Sequence, residues 1–116
     1  MISFHGLNRF YLYRKPCDMR KSFNGLCGIV RRELKLDLLQ GDVFIFINRK
    51  RDIIKLLMWD RTGFAIWYKR LEEGTFEIPK KLSESDHIEI DQQALLLILE
   101  GIELRSVRHR KRYTRV

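Results

Sequence analysis

The chemistry that this sequence offers most plainly is the binding of anions by clustered cations. The last twelve residues, RSVRHRKRYTRV, hold six of the chain's eight excess positive charges and no acid. Such dense cationic segments neutralise nucleic-acid phosphates and release bound counterions. The alternatives are a solvated tail that aids solubility, an anionic membrane surface and an acidic protein partner. We predict a flexible tail over residues 105–116 whose DNA-binding side chains are Arg105, Arg108, Arg110, Lys111, Arg112 and Arg115.

A second group of cations lies in the middle of the chain. Arg49, Lys50 and Arg51 occupy a predicted turn between two strands. Charge at such a turn serves either solubility or contact with phosphates. We include the turn among the candidate DNA-binding residues, together with three weaker candidates on the neighbouring strands, which are Lys55, Lys69 and Arg70.

A third pair of cations, Arg20 and Lys21, follows Asp18, which suits the N-cap of a predicted helix. Positive charge in the first turn of a helix opposes the helix dipole. A bound anion, such as a DNA phosphate or an acidic side chain of a partner, would resolve the conflict. An ordinary ion pair with a carboxylate elsewhere in the fold would resolve it equally well. Both alternatives stay open from the sequence.

The residue types that catalysis requires form no recognisable pattern. Asp18 and Asp91 are explained as helix caps, and Asp52 and Asp60 flank turns. The spacing of the two cysteines is not a common zinc spacing, and there is no phosphate-cradling glycine loop. We therefore predict no catalytic residues, no metal and no cofactor. A metal-dependent nuclease is the less favoured alternative, because carboxylates distant in sequence can meet in a fold.

Length and composition favour a single folded domain. The chain has 116 residues, of which 45% are hydrophobic, so it can bury a core and is not of the disordered class. Two cysteines exclude a disulfide scaffold. No apolar run is long enough to span a membrane, and the first residues do not resemble a signal peptide. We expect a cytoplasmic protein with no membrane association.

The hydrophobic pattern predicts an α+β fold. Short links between apolar segments indicate an antiparallel meander over about 43–71 within a sheet of four to five strands. The pattern also predicts two helices, over about 19–34 and 92–100, with Asp91 and Gly101 as the caps of the second. Residues 1–104 would form the domain and residues 105–116 the basic tail. The predicted strands cover 10–14, 43–47, 53–59, 64–71 and 87–90.

Three segments carry a family resemblance. They are DMRKSFNGL at 18–26, GDVFIFINRKRDIIKLLMWDRTGFAIWYKRLEEGTF at 41–76 and LLILEGI at 96–102. In this order and spacing they resemble the small accessory proteins of insertion sequences of the sixty-six family, which are unrelated to the RNA-guided nuclease with a similar label. The resemblance implies a bacterial mobile element with a separate, larger transposase. It supplies no catalytic residues.

These observations lead to one expected function and one rival. We expect a non-catalytic accessory protein of transposition that binds DNA with weak specificity, with the transposase of the same element as a partner. The rival is an adaptor that binds the transposase, or a second copy of itself, without touching DNA. It is motivated by the unbroken apolar run LLLIL at 95–99 in the second predicted helix.

Overall fold

A computed structural model describes residues 8–79 and 85–101. Five strands form one sheet in the order β4-β3-β2-β1-β5, with helices packed against it, so the predicted α+β class is confirmed. The strands are β1 (Phe10–Tyr13), β2 (Val43–Ile47), β3 (Ile53–Asp60), β4 (Gly63–Arg70) and β5 (His87–Ile90). The helices are α1 (Phe23–Ile29), which continues as a π-helical turn over Val30–Leu34, and α2 (Gln92–Glu100), and a short 3-10 turn covers Leu38–Gln40.

The sheet is mixed, which differs from the expected antiparallel arrangement in one place. Strands β2, β3 and β4 form the predicted antiparallel meander, and β5 pairs antiparallel with β1. Strand β1, however, lies parallel to β2, with Phe10 opposite Val43. Parallel neighbours need a crossover connection, and α1 lies in the connection that joins these two strands.

Both faces of the central strands are covered. All five residues of β2 are buried, as expected for a strand that is apolar on both faces. One face packs under α2 in a core that includes Ile45, Leu56 and Leu95. The other face packs under α1 in a core that includes Phe44, Phe46 and Leu26. The sheet is therefore the middle layer of three, and it fixes the turns at its two ends.

The first helix begins at Phe23, later than the start predicted at residue 19. The Asp18 side chain does not cap it, because the carboxylate accepts a hydrogen bond from the Arg20 backbone N–H at 2.9 Å and pairs with the Arg20 guanidinium at 2.7 Å. The Lys55 ammonium also binds the carbonyls of Met19 and Lys21, at 2.8 and 2.9 Å. Those carbonyls are thus occupied outside any helix.

The second helix has both predicted caps. The Asp91 carboxylate accepts a hydrogen bond from Ala94 N–H at 2.7 Å, and Gly101 adopts the left-handed φ of 75° that ends many helices. Leu95 and Ile98 are buried against the sheet, whereas the Leu96 side chain is 45% exposed. The helix is therefore covered on one side only. Neither α2 nor any other helix in residues 8–79 and 85–101 is both long and apolar enough to cross a membrane.

Candidate nucleic-acid interface

The turn between β2 and β3 is held in a fixed shape by two polar side chains, Asn48 and Asp52. Asn48 Oδ1 accepts hydrogen bonds from the backbone N–H groups of Asp52 and Ile53, both at 3.0 Å. Its Nδ2 donates to the Asp52 carboxylate at 2.7 Å, and its carbonyl accepts from Arg51 N–H at 3.0 Å. These bonds fix the backbone that carries the three central cations of the turn.

Arg49, Lys50 and Arg51 are exposed at the tip of this frame. Within residues 8–79 and 85–101 their side chains form no ion pair and no hydrogen bond. Arg51 has a left-handed φ of 59°, which an ordinary side chain rarely adopts. Three cations without internal partners on a rigid turn are suited to an external anion such as a phosphate. We call these three residues the cationic turn.

The last turn of α2 lies at the same end of the sheet as the cationic turn. Strand β4 finishes there, since Lys69 lies opposite Ile54 at the start of β3. The Lys69 ammonium donates to the carbonyl of Leu99 in the last turn of α2 at 2.9 Å. Gly101 follows directly, and the predicted basic tail begins four residues later. The described chain therefore ends, at Gly101, near the end of the sheet that carries the cationic turn.

Four of the other candidates have partners inside the fold. Lys55 and Lys69 bind backbone carbonyls, and Arg70 pairs with Glu72 at 3.2 Å. Arg20 pairs with Asp18, two residues before it, and precedes α1, so the predicted conflict with the helix dipole does not arise. Lys21 is exposed and precedes α1 instead of standing in its first turn. The tail candidates Arg105, Arg108, Arg110, Lys111, Arg112 and Arg115 lie outside the described residues.

The residues that could do other chemistry are dispersed. No group of three His, Cys, Asp or Glu side chains able to hold a metal ion occurs in the described parts of the chain. Both cysteines are buried and unpaired. Burial raises the pKa of the Cys17 thiol to about 11, which disfavours the thiolate that acts as nucleophile or zinc ligand.

Sequence reasoning placed the cations of the turn but missed the residues that shape it. Asn48 and Asp52 flank the three cations at a spacing of four, and asparagine and aspartate commonly bond nearby backbone groups in turns. That spacing was the available signal. The ring of Tyr68 is 66% exposed on β4 and lies 5.7 Å from the Lys55 ammonium.

Replacing Asn48 should loosen the cationic turn. We expect Asn48→Ala to lower the free energy of unfolding by about 1–2 kcal/mol, because two partly buried backbone N–H groups and the Asp52 carboxylate lose their partner. Denaturant unfolding would measure the loss. The matched control is Gln40→Ala, which removes an exposed side-chain amide bonded to Asp37 at 3.0 Å, away from the cationic turn. Equal stability of the two variants would contradict the framing role of Asn48.

The ion pair between Asp18 and Arg20 should make stability depend on pH at the acidic end. Hydrogen bonds from Arg20 lower the pKa of the Asp18 carboxyl from 3.8 to about 2. A lowered pKa in the folded state stabilises the fold above the unfolded value, and this stabilisation is lost as the pH falls from about 4 to about 2. Denaturant unfolding across this range should show a weaker pH dependence in Asp18→Asn. An unchanged slope in Asp18→Asn would contradict the assignment.

A three-layer α+β domain built on a mixed five-stranded sheet is the structural class of this protein. The chain belongs to the family of IS66 Orf2-like proteins, whose model matches residues 8–109. This match confirms the family that the sequence resembles. Proteins of this family are associated with the transposition of insertion sequences.

Two relatives from Sinorhizobium fredii (strain NBRC 101917 / NGR234) are similar along nearly the whole chain. The uncharacterized protein y4jC is 30% identical over 110 residues, which cover 93% of this chain and 92% of y4jC. The uncharacterized protein y4hO is 34% identical over 108 residues, with the same two shares covered. No solved structure matches the chain.

Proposed function

We propose that this chain is a non-catalytic accessory protein of transposition that binds DNA phosphates through the cationic turn and residues 105–116. The observation that carries the proposal is the position of the cationic turn. Its side chains have no partner among the described residues, and it lies at the end of the sheet where α2 finishes, four residues in sequence before Arg105.

The reach of the tail is consistent with joint action. Arg105 is four residues beyond Gly101, which places it within about 14 Å of that residue even in an extended chain. The phosphates of one DNA strand follow one another at about 3.4 Å along the helix axis. Twelve residues of extended chain are therefore long enough to follow several consecutive phosphates.

The described cations support phosphate contact more than base reading. The three cations of the cationic turn lie on a short link between strands and not on a helix, the element that commonly enters the major groove. Contacts to phosphates carry no sequence information directly. We therefore propose weak sequence specificity, with the choice of DNA site made by the transposase of the same element.

The test is DNA affinity as a function of salt. Fluorescence anisotropy would compare the element's terminal repeats with a scrambled duplex of equal length, using the full chain. With the six tail cations and the three of the cationic turn on phosphates, the slope of log affinity against log salt should be about −8. The two duplexes should bind within a few-fold of each other. Failure of the full chain to bind either duplex at about 50 mM salt would refute the proposal.

A second candidate function is supported by one observation, the exposure of α2. Leu96 is 45% exposed on the uncovered side of α2, and an apolar side chain there suits a protein partner. In this alternative the chain is an adaptor for the transposase. Binding to purified transposase that persists in high salt, and that Leu96→Gln weakens, would favour the adaptor over the DNA-binding protein.

A further inference from the structure

Strand β4 is the outermost strand of the sheet next to β3, and its other side has no neighbour within the described residues. It is eight residues long, equal to β3 and longer than the other three strands. Its last three residues, from Tyr68 to Arg70, are exposed, whereas β2 and β1 are buried throughout. Long open edges expose unpaired backbone groups that readily bind another strand.

The pairing of β4 with β3 determines which residues of β4 have backbone N–H and C=O groups that point away from the sheet. The two-residue turn at Arg61 and Thr62 makes Asp60 and Gly63 a hydrogen-bonded pair, and such pairs alternate along an antiparallel ladder. The hydrogen bond from Leu71 N–H to the Asp52 carbonyl at 2.7 Å continues the same alternation. The outward groups therefore belong to the even-numbered residues, which are Phe64, Ile66, Tyr68 and Arg70.

The geometry points to a homodimer in which β4 pairs antiparallel with β4 of a second copy, joining the two sheets into one continuous sheet. A two-fold axis through Trp67 uses all four outward residues. Identical segments can pair in this way because a two-fold interface brings the same patch of both copies together. The directly opposed pairs are Phe64 with Arg70, Ala65 with Lys69 and Ile66 with Tyr68, each of which occurs twice, and Trp67 with Trp67, which lies on the axis.

This register has no like charges in direct opposition. Arg70 meets the aromatic ring of Phe64, an arrangement that favours a cation–π contact. The Tyr68 ring, 66% exposed in the single chain, meets the branched side chain of Ile66. An edge built against self-association would place charges opposite one another along its length. Here the two cations of the strand, Lys69 and Arg70, are matched with uncharged partners.

The arrangement also sets where the cationic turns lie. Antiparallel pairing rotates the second copy by half a turn about an axis normal to the sheet, so its cationic turn points in the opposite direction. A dimer would therefore present two anion-binding ends that face away from each other. Its existence does not depend on the proposed DNA binding, because the pairing uses backbone groups of β4 alone.

The experiment is sedimentation equilibrium of the DNA-free full chain in high salt, with charges placed on the opposed pair Ile66 and Tyr68. The parent chain should sediment at twice its 14.0 kDa mass at high concentration. Ile66→Lys combined with Tyr68→Lys sets like charges opposite each other and should weaken the dimer by about tenfold or more. Ile66→Lys combined with Tyr68→Glu sets opposite charges together and should restore most of the association.

Two other registers would oppose identical residues, at 66 or at 68, and neither would be rescued by the Lys and Glu pair.

A second variant avoids the half-buried Ile66. Tyr68→Pro removes one outward N–H and should give a monomer, while Tyr68→Thr keeps that donor and should remain largely dimeric. A parent chain that is monomeric at all concentrations, or a dimer that none of these variants alters, would overturn the inference.

Discussion

Deletion of residues 105–116 is expected to remove most of the salt dependence of DNA binding. The deletion takes away six cations, and each phosphate contact contributes about 0.9 to the slope of log affinity against log salt, so the slope should fall by about five units. Between about 50 and 200 mM salt the full chain should lose about 10⁵ in affinity and the 1–104 chain only about 40-fold. Fluorescence anisotropy over this range measures both slopes.

The control for the deletion keeps the length of the tail and removes its charge. Replacing the six cations by glutamine should reproduce the deletion, since the proposed role of the tail is electrostatic. The α1 and α2 layers stay intact in both variants, so thermal unfolding should be unchanged. A glutamine tail that binds as well as the original would show that residues 105–116 do not act through phosphates.

Neutralising the cationic turn should have the second largest effect. The combined change Arg49→Gln, Lys50→Gln and Arg51→Asn removes three cations that have no described partner, and the slope should fall by about 2.7 units. Asparagine is chosen at residue 51 because it tolerates the left-handed conformation found there. Anisotropy titrations with the same duplexes measure the change. Between about 50 and 200 mM salt, the loss of affinity should be about 40-fold smaller than the loss shown by the parent chain.

The matched control removes three exposed cations from the helical layer over one face of the sheet. Arg31→Gln, Arg32→Gln and Lys35→Asn change the net charge by the same amount, and Lys35 has a left-handed φ of 56° like that of Arg51. If position matters, the control should bind DNA almost as the parent does. An equal loss in both variants would mean that net charge alone drives binding and would remove the cationic turn from the interface.

Local patterns in the sequence were sufficient to place most elements. The apolar run at 43–47 and the alternation at 53–59 predicted β2 and β3, and the caps Asp91 and Gly101 predicted the limits of α2. The parallel pairing of β1 with β2 was not predictable, because nothing local states which distant strands become neighbours.

The candidate site was predictable only in part, for a physical reason. An exposed turn such as 49–51 is recognised from its own residues. The roles of Lys55 and Lys69 depend on carbonyls 36 and 30 positions away in the chain, at Met19 and Leu99. A long side chain on a strand reaches whatever backbone the fold brings near it, and its own sequence neighbourhood does not record that partner.

The position of β1 between β2 and β5 has a consequence for synthesis on the ribosome. Its two neighbours in the sheet, β2 and β5, are both made later, and β5 begins only at His87. Until then one edge of the fully buried segment FYLY has no strand to pair with, so the nascent chain exposes an unpaired edge through most of translation. Fragments that stop before residue 87 should therefore aggregate during expression, and interaction mapping with this protein should use chains that extend at least to Gly101.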